Sequence, residues 1–165
     1  MIEIKEVINN IEKQAIATIV VGQLSDWFRG ETSAEEYFEQ ISQMAFWGVF
    51  DKGNSIGFLA LKEHNKTYAE LFSVGVIEDY RRISIGRGLF NVMQNFALAK
   101  GFSYLSVNDS KVQGKEISKF LHAMGFLQYD KNSNLLGKEN SSITMIKDLK
   151  DYNNSYKCNA FGGIQ

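Results

Sequence analysis

The sequence predicts an α+β domain built on a mixed, mostly antiparallel sheet that is flanked by helices. Residues 45–76 contain three strand-like runs separated by short polar turns, and this pattern predicts an antiparallel meander. An amphipathic helix and a further strand follow, and such a strand–helix–strand unit predicts a parallel crossover. The predicted order of elements is therefore β-α-α-β-β-β-α-β-α-β-β.

The first part of the chain predicts one strand and two helices. Residues 2–8 alternate imperfectly between apolar and polar side chains, as a short strand does. Asn9 or Asn10 can cap the helix that follows, whose apolar pattern runs on towards Trp27. Ser33 and the glutamates behind it form a capping box, which predicts the start of the second helix.

Turn residues separate the strands of the meander. Residues 45–50 and 55–63 read as strands, and residues 51–54 form a hairpin turn between them. A turn at residues 64–66 leads to a third strand that begins near Thr67.

The second half of the chain alternates between helices and strands. From Gly86 an apolar stripe predicts a long helix, which Gly101 ends. The remaining predicted elements are the strand 102–107, the helix 115–124 with its stop at Gly125, and the strands 126–129 and 142–146.

The composition suits one soluble domain, predicted to span residues 1–149, with a polar and flexible tail at residues 150–165. The net charge of -1 does not suit a nucleic-acid binder, which neutralises many phosphates. No apolar run is long enough to cross a membrane, and no signal peptide is visible. The single cysteine, Cys158, fits a reducing compartment, so we expect a cytoplasmic protein.

The segment Arg81–Gly88, which leads straight into the long helix, can bind a phosphate. The first amides of a helix lack intrahelical partners, and the helix dipole favours an anion there. Glycines at 86 and 88 let a ligand approach the backbone, and the three arginines of the segment add charged donors. A diphosphate suits this arrangement best, and a plain solvated turn is the alternative.

Two common nucleotide motifs do not match this segment. A dinucleotide-binding G-x-G-x-x-G turn follows the first strand of a βαβ unit, whereas this turn follows a meander and has a different glycine spacing. The chain also lacks the G-x-x-x-x-G-K-[ST] pattern of a P-loop. Both nucleotide interpretations therefore fail on spacing.

A different family matches better. Arg81, Ser84 and Gly86 resemble the acyl-CoA-binding pattern R/Q-x-x-G-x-G/A of the GNAT N-acetyltransferase superfamily, in which a helix follows the turn. The run Phe120-Leu121-His122-Ala123-Met124-Gly125-Phe126 resembles the second signature of that superfamily, F-Y-x-x-x-G-F. The order of elements is similar over residues 2–149.

This resemblance implies a GNAT-like fold and acetyl-CoA as the co-substrate. The strand ending at Val76 would pair with the pantetheine arm, and the turn would wrap the pyrophosphate. The implied CoA-binding residues are Val74, Gly75, Val76, Arg81, Arg82, Ile83, Ser84, Ile85, Gly86 and Arg87. The co-substrate would lie in a cleft between the strands at residues 67–76 and 102–107.

Two residues depart from the family pattern. Ser84 replaces the first motif glycine, so its Cβ narrows the turn, although its hydroxyl can donate to a phosphate oxygen. Leu121 replaces the signature tyrosine, which often acts as general acid towards the leaving thiolate. Leucine cannot exchange a proton, so water or another side chain must serve, or the activity is weak.

Glu70 is the predicted catalytic base. It lies on the strand before the turn, where some members of the superfamily keep a glutamate that deprotonates the amine through water. A carboxylate that is partly buried in a sheet is a stronger base than an exposed one. The alternative is a solvent-facing strand glutamate.

Trp27 and Tyr37 are the residues predicted to bind the acceptor. In the GNAT fold the first two helices wall the acceptor pocket, and here they combine these rings with acidic residues, which favours a cationic amine. The alternative is that both rings belong to the core. His64 in a predicted turn and His122 on a polar helix face form no triad, and no metal site has the required spacing.

The resemblance therefore implies an N-acetyltransferase that moves acetyl from acetyl-CoA to a primary amine by direct attack. Backbone amides near Val74–Val76 would polarise the thioester carbonyl. Two alternatives stay open: a non-catalytic acyl-CoA-binding or regulatory module, and an acyltransferase for longer acyl chains. The acceptor stays open among a small polyamine, an antibiotic amine and a protein N-terminus. A homodimer is one open oligomeric state, and no nucleic-acid or membrane partner is expected.

Overall fold

The computed structural model describes residues 1–24, 33–81, 84–108, 115–137 and 143–150 of the 165-residue chain. Within these ranges the chain forms seven strands and four helices. The strands are β1 (Ile2–Glu6), β2 (Ala45–Asp51), β3 (Asn54–Glu63), β4 (Tyr68–Val76), β5 (Tyr104–Asn108), β6 (Leu127–Gln128) and β7 (Ile143–Asp148). The helices are α1 (Asn10–Gly22), α2 (Ala34–Ser42), α3 (Ile85–Lys100) and α4 (Lys115–Ala123).

The strands form one sheet in the order β1-β2-β3-β4-β5-β7-β6. The pairs β1–β2, β2–β3, β5–β7 and β6–β7 are antiparallel. β4 and β5, which precede and follow α3 in the sequence, pair in parallel. The α+β class, the mixed and mostly antiparallel sheet, and the parallel crossover are therefore confirmed.

Two turns set the register of the meander. Lys52 and Gly53 have φ angles of 51° and 82°, and a two-residue hairpin turn of type I′ requires this left-handed conformation at both central residues. The amide of His64 donates to the carbonyl oxygen of Tyr68 at 3.4 Å and closes the turn between β3 and β4. Both predicted turns are confirmed.

The chain opposite β3 contains one extra residue. Beyond the end of β4, the amide of Ile77 donates to the carbonyl oxygen of Ile56 at 2.9 Å. Between this bond and the His64–Tyr68 bond, β3 advances by eight residues (56 to 64), whereas the opposite chain advances by nine (68 to 77). An extra residue of this kind is a β-bulge, which leaves a backbone group outside the ladder. The bulge thus lies in the segment that carries the predicted base and pantetheine-binding residues.

Contacts divide the molecule into two compact units. The first contains residues 1–63 and 71–93, and the second contains residues 64–70 and the chain from Gln94 onward. β4 and α3 each contribute residues to both units.

In the first unit, helices pack on both faces of β1 and β2. A side chain at Gly48 would come within 3.1 Å of Ile16, so this glycine gives α1 its close approach. Gly48 pairs with Lys5, and Ile4 therefore points to the opposite face. There α3 approaches closely, because a Cβ at Gly88 would lie 3.0 Å from the Ile4 side chain.

Side-chain caps begin the two N-terminal helices. The Asn9 side chain accepts a hydrogen bond from the Glu12 amide at 3.1 Å, at the start of α1. The Ser33 hydroxyl accepts one from the Glu36 amide at 3.2 Å, at the start of α2. Both predicted helix starts are confirmed.

Lys13 ties α1 to the end of α2. Its ammonium donates to the carbonyl oxygens of Ser42 at 3.1 Å and Met44 at 2.8 Å. Burial lowers the pKa of Lys13, while the nearby Glu6 carboxylate raises it. A cation at a helix C-terminus complements the helix dipole, so this contact holds α2 in place.

In the second unit, Lys147 of β7 binds to both covering helices. Its ammonium donates to the side-chain oxygen of Gln94 on α3 and, at 2.6 Å, to the carbonyl oxygen of Met124 just after α4. Burial lowers the pKa of Lys147 to about 8. Gly101 and Gly125, with φ angles of 87° and 93°, end α3 and α4 as predicted.

The other face of this unit carries a different set of side chains. Lys147 pairs with Leu105, so the neighbouring Ser106 points away from α3 and α4. Glu70 pairs with Ser106 in the parallel ladder and therefore shares its face. An apolar cluster lies on this face and consists of Tyr68, Tyr129, Leu136 and Ile143, with Tyr104 and Ile146 packed against it.

Some predicted boundaries change. β1 ends at Glu6 rather than at residue 8, and β6 is only two residues long. Residues 151–165 lie outside the described residues, so the division into a domain and a tail stays a prediction. Of the described helices, none has the length and apolar character needed to span a membrane.

Candidate functional site

A short connection joins β4 to α3. It begins with one turn of 3-10 helix at Glu78–Tyr80, which the sequence did not predict. The Nε of Arg81 then donates to the carbonyl oxygen of Val76 at 3.0 Å, so the guanidinium folds back onto the end of the strand. Arg81 is thereby held at the entrance of the predicted phosphate turn.

Tyr80 anchors this connection to the β2–β3 hairpin. Its hydroxyl donates to Oδ2 of Asp51 at 2.6 Å. This bond lowers the pKa of Asp51 and raises the pKa of Tyr80, because it stabilises the carboxylate and the protonated phenol together. The turn therefore starts from a defined position.

Ser84 directly precedes α3. Its carbonyl oxygen accepts the first helical hydrogen bond, from the Gly88 amide at 3.0 Å. Its φ is 65°, in the left-handed region that favours glycine. The amides of residues 85–87, in the first helical turn, have no intrahelical acceptor by the geometry of a helix, and they form an anion-binding end. Phosphate binding at this end of α3 stays a prediction.

The predicted CoA-binding residues fall into two groups in the structure. Val74 and Val76 are half-buried on β4, and Gly75 between them is buried. A side chain at Gly75 would come within 3.2 Å of Leu24, so this glycine allows close packing on the strand. Ile85 is buried at the start of α3, whereas Arg87 is exposed and Gly86 half-buried. Arg82 and Ile83 lie outside the described residues.

Tyr37 of α2 lies against β4. Only 5% of it is exposed, its hydroxyl is 2.7 Å from the Ser73 hydroxyl, and its ring stacks on Phe72 at 6.0 Å. The ring is thus packed on the strand that carries the predicted pantetheine-binding residues. Its role in acceptor binding stays a prediction, and Trp27 lies outside the described residues.

Glu70 is buried and paired with a histidine. Its side chain is 7% exposed, and its Oε1 lies 2.7 Å from Nε2 of His64, whose side chain is 25% exposed. The His64 ring also stacks on Tyr68, with centroids 4.9 Å apart. The buried carboxylate is therefore hydrogen-bonded to a side chain that is itself partly exposed to solvent. The alternative of a solvent-facing glutamate does not hold.

Sequence reasoning missed His64 as a member of this site. It assigned His64 correctly to a turn but took that position as evidence against a functional pairing. The register of the hairpin could have revealed this pairing, since His64 lies opposite Tyr68 and hence diagonal to Glu70. Diagonal neighbours are within reach of a long side chain.

The described residues contain no group of three or more histidine, cysteine, aspartate or glutamate side chains that could hold a metal ion. His122, the other histidine, lies in the last turn of α4 and is exposed. The Glu70 carboxylate of β4 and the imidazole of the preceding turn instead form a hydrogen-bonded pair, and both groups belong to the types that serve as general bases.

Comparison with known proteins identifies the family. The model of the acetyltransferase (GNAT) family matches residues 10–126, which include α1, the meander, the turn and α4. The chain belongs to the GNAT acetyltransferase family. No curated protein matches the sequence significantly.

Solved GNAT structures share the fold. An acetyltransferase from Streptococcus agalactiae is 20% identical, with a TM-score of 0.71 and coverage of 89% of this chain and 98% of that one. A GNAT-family acetyltransferase from Staphylococcus aureus is 16% identical, with a TM-score of 0.72 and coverage of 90% and 99%. The PaiA N-acetyltransferase from Thermoplasma acidophilum, solved with coenzyme A, is 21% identical, with a TM-score of 0.63 and coverage of 90% and 99%.

Leu121 replaces the signature tyrosine of the GNAT family. It is 1% exposed, and its carbonyl oxygen accepts a hydrogen bond from the Phe126 amide at 2.9 Å where α4 ends. The side chain is thus part of the core of α4. It cannot supply a proton to a leaving thiolate.

Substitutions at Ser84 test the predicted CoA-binding turn of this GNAT protein. We expect S84G to raise the free energy of unfolding by about 0.5–1 kcal/mol, because relief of the left-handed conformation exceeds the entropy that glycine adds to the unfolded chain. The matched variant S84V is expected to lower it by about 1–2 kcal/mol, since a branched side chain is strained at this φ.

Urea unfolding and CoA calorimetry of both variants are the measurements. S84G is expected to bind CoA more tightly and S84V more weakly, because the amides at the start of α3 depend on the turn. Weaker binding by S84G would contradict this expectation and would indicate that the hydroxyl itself contacts a phosphate.

Proposed function

We propose that this GNAT acyltransferase moves an acetyl group from acetyl-CoA to the nitrogen of a primary amine by direct attack. The observation that carries the proposal is Glu70, a buried carboxylate on β4 that is hydrogen-bonded to His64. A buried carboxylate of this kind is suited to accept a proton from an ammonium group. The β-bulge supports the proposal as well, since bulges often occur next to active sites.

The CoA half of the proposal rests on the end of β4 and the start of α3. The left-handed Ser84 and the amides behind it suit the pyrophosphate, and Arg81 lies at the same turn. Val74–Val76 and the neighbouring bulge offer backbone groups for the pantetheine arm. The Thermoplasma acidophilum neighbour, which was solved with coenzyme A, supports this choice of co-substrate.

The proposed reaction forms an amide, releases the CoA thiol and returns one proton to solvent. Glu70 takes one proton from the ammonium group of the acceptor, and the nitrogen lone pair attacks the thioester carbonyl. The C–N bond forms, the C–S bond breaks, and the CoA thiolate leaves. The new amide nitrogen releases its second proton. Because Leu121 cannot donate a proton, water carries this second proton to the thiolate, and the proton on Glu70 returns to solvent through His64.

A non-catalytic acyl-CoA-binding module is the second candidate, and the buried Leu121 favours it. Such a module would bind CoA at the same turn without releasing the thiol. An acyltransferase that uses a longer acyl chain is a variant of the first candidate. Competition between acetyl-CoA and longer acyl-CoAs separates these two acyltransferases.

Thiol release from acetyl-CoA, measured with spermidine, kanamycin and a peptide with a free N-terminal alanine, tests the proposal. We expect at least one amine to raise the rate of release clearly above that of acetyl-CoA alone. Absence of turnover with the whole panel, together with a higher melting temperature on adding CoA, would support the binding module instead.

A further inference from the structure

The hydroxyl of Ser106 is buried, and no residue that the structure describes forms a hydrogen bond with it. Ser106 lies on β5 and is 0% exposed, and its Oγ has no hydrogen-bond partner among the residues that the structure describes. Buried polar groups are nearly always hydrogen-bonded, because an unpaired one reduces stability. An unpaired buried hydroxyl lowers the stability of the protein, and a bound ligand can supply the missing hydrogen bond.

The position of Ser106 indicates which kind of ligand would contact its hydroxyl. Glu70 and Ser106 form the last rung of the parallel ladder between β4 and β5, after Tyr68–Tyr104 and Ala69–Leu105. Side chains of one rung point to the same face, and neighbouring strands are about 4.8 Å apart. One small polar atom can therefore contact both the carboxylate and the hydroxyl.

The surroundings favour a cation at this point. Tyr68 and Tyr104 occupy the rung two residues earlier on the same face, and His64 lies over Tyr68. Aromatic rings and a carboxylate together attract an ammonium group. The hydroxyl thus lies beside the carboxylate, and the two tyrosines are their neighbours on the same face of the sheet.

We propose that Ser106 is a further catalytic residue of this site and that its hydroxyl binds the acceptor nitrogen opposite Glu70. The inference rests on the proposed N-acetyltransferase function and deepens it by naming the side chain that holds the acceptor nitrogen. One N–H of the ammonium transfers its proton to Glu70, and a second N–H donates to Ser106 Oγ. This transfer frees the nitrogen lone pair for attack on the thioester.

The variant S106A separates this role from a structural one. Removing an unpaired buried hydroxyl is expected to leave the melting temperature unchanged or to raise it, because nothing among the described residues loses a hydrogen bond. We expect kcat/KM for the amine to fall at least tenfold in the same variant, while CoA affinity stays unchanged. A structural residue would instead lower stability and activity together.

The matched control is S103A, which makes the same chemical change three residues earlier in the chain at a half-buried serine. It is expected to keep the wild-type kcat/KM. Wild-type kcat/KM in S106A, measured with an amine that the wild-type protein acetylates, would overturn the assignment and leave the proposed function intact.

Calorimetry of spermidine, kanamycin and the alanine peptide with the CoA-loaded protein supplies a readout that needs no turnover. If the wild-type protein releases no thiol, the proposed function fails, and binding alone decides the role of Ser106. Amine binding that S106A weakens at least tenfold would support the ammonium site. Equal binding by the two proteins, or no binding by either, would overturn it.

Discussion

Replacing Glu70 by glutamine is expected to lower kcat/KM for the amine by about 100- to 10,000-fold, the range that a positioned general base contributes. Glutamine has nearly the same shape and can keep the hydrogen bond to His64, which lies 2.7 Å from the carboxylate. It cannot accept the proton of the ammonium group. The loss should therefore appear in catalysis and not in folding or CoA affinity.

Thiol-release kinetics across pH, with CoA calorimetry and thermal unfolding alongside, measure this effect. The limb of the pH–rate profile that reports the base should disappear in E70Q. The matched control is E63Q, which changes an exposed glutamate at the end of β3 and should leave the rate unchanged. An unchanged rate and pH dependence in E70Q would show that Glu70 is not the base.

Stability is expected to rise with pH between about 8 and 10.5 because of Lys147. Burial lowers its pKa to about 8, whereas an unfolded lysine titrates near the ordinary value of 10.5. In this window the unfolded chain binds more protons than the folded one, so raising the pH favours folding. Below pH 8 both states are protonated, and the cost of the buried charge is fully present.

The size of this effect is at most roughly 3 kcal/mol, since each unit of pKa difference corresponds to about 1.4 kcal/mol. The neutral amine can still donate to Gln94 and to the Met124 carbonyl, so the structure of the site is preserved at high pH. Urea unfolding at several pH values between 7 and 10.5 measures the slope.

The variant K147M should lose this slope, because methionine does not titrate. The control K62M removes an exposed lysine of β3 and should keep the wild-type slope, so titrations elsewhere cancel in the comparison. Equal slopes in K147M and the wild-type protein would refute the assignment to Lys147.

The elements that sequence predicted well are those encoded by short-range chemistry. The cap at Asn9, the left-handed turn at Lys52 and Gly53, and the stops at Gly101 and Gly125 each depend on a few consecutive residues. The turn before α3 belongs to the same class, since its left-handed residue and its helix start are neighbours in the chain. The family motif could therefore be recognised there, with Ser84 in place of a glycine.

The acceptor side of the site could be predicted only in part. Glu70 was identified because its place on the strand before the turn is visible in the order of elements. Its partner His64 and the neighbouring Ser106 depend on pairing across strands. Pairing fixes which side chains share a face, and a β-bulge in the segment opposite β3 shifts that register by one residue without a clear mark in the sequence.

The order of elements, the helix and turn signals, and the resemblance to acyl-CoA-binding acetyltransferases could thus be predicted without coordinates, because each depends on local spacing. The folded chain was needed to find that the Glu70 carboxylate is buried against His64, that the Ser106 hydroxyl lies on the same rung, and that Lys147 is hydrogen-bonded to Gln94. Residues up to 53 positions apart meet in these contacts, and their proximity depends on strand register and helix packing.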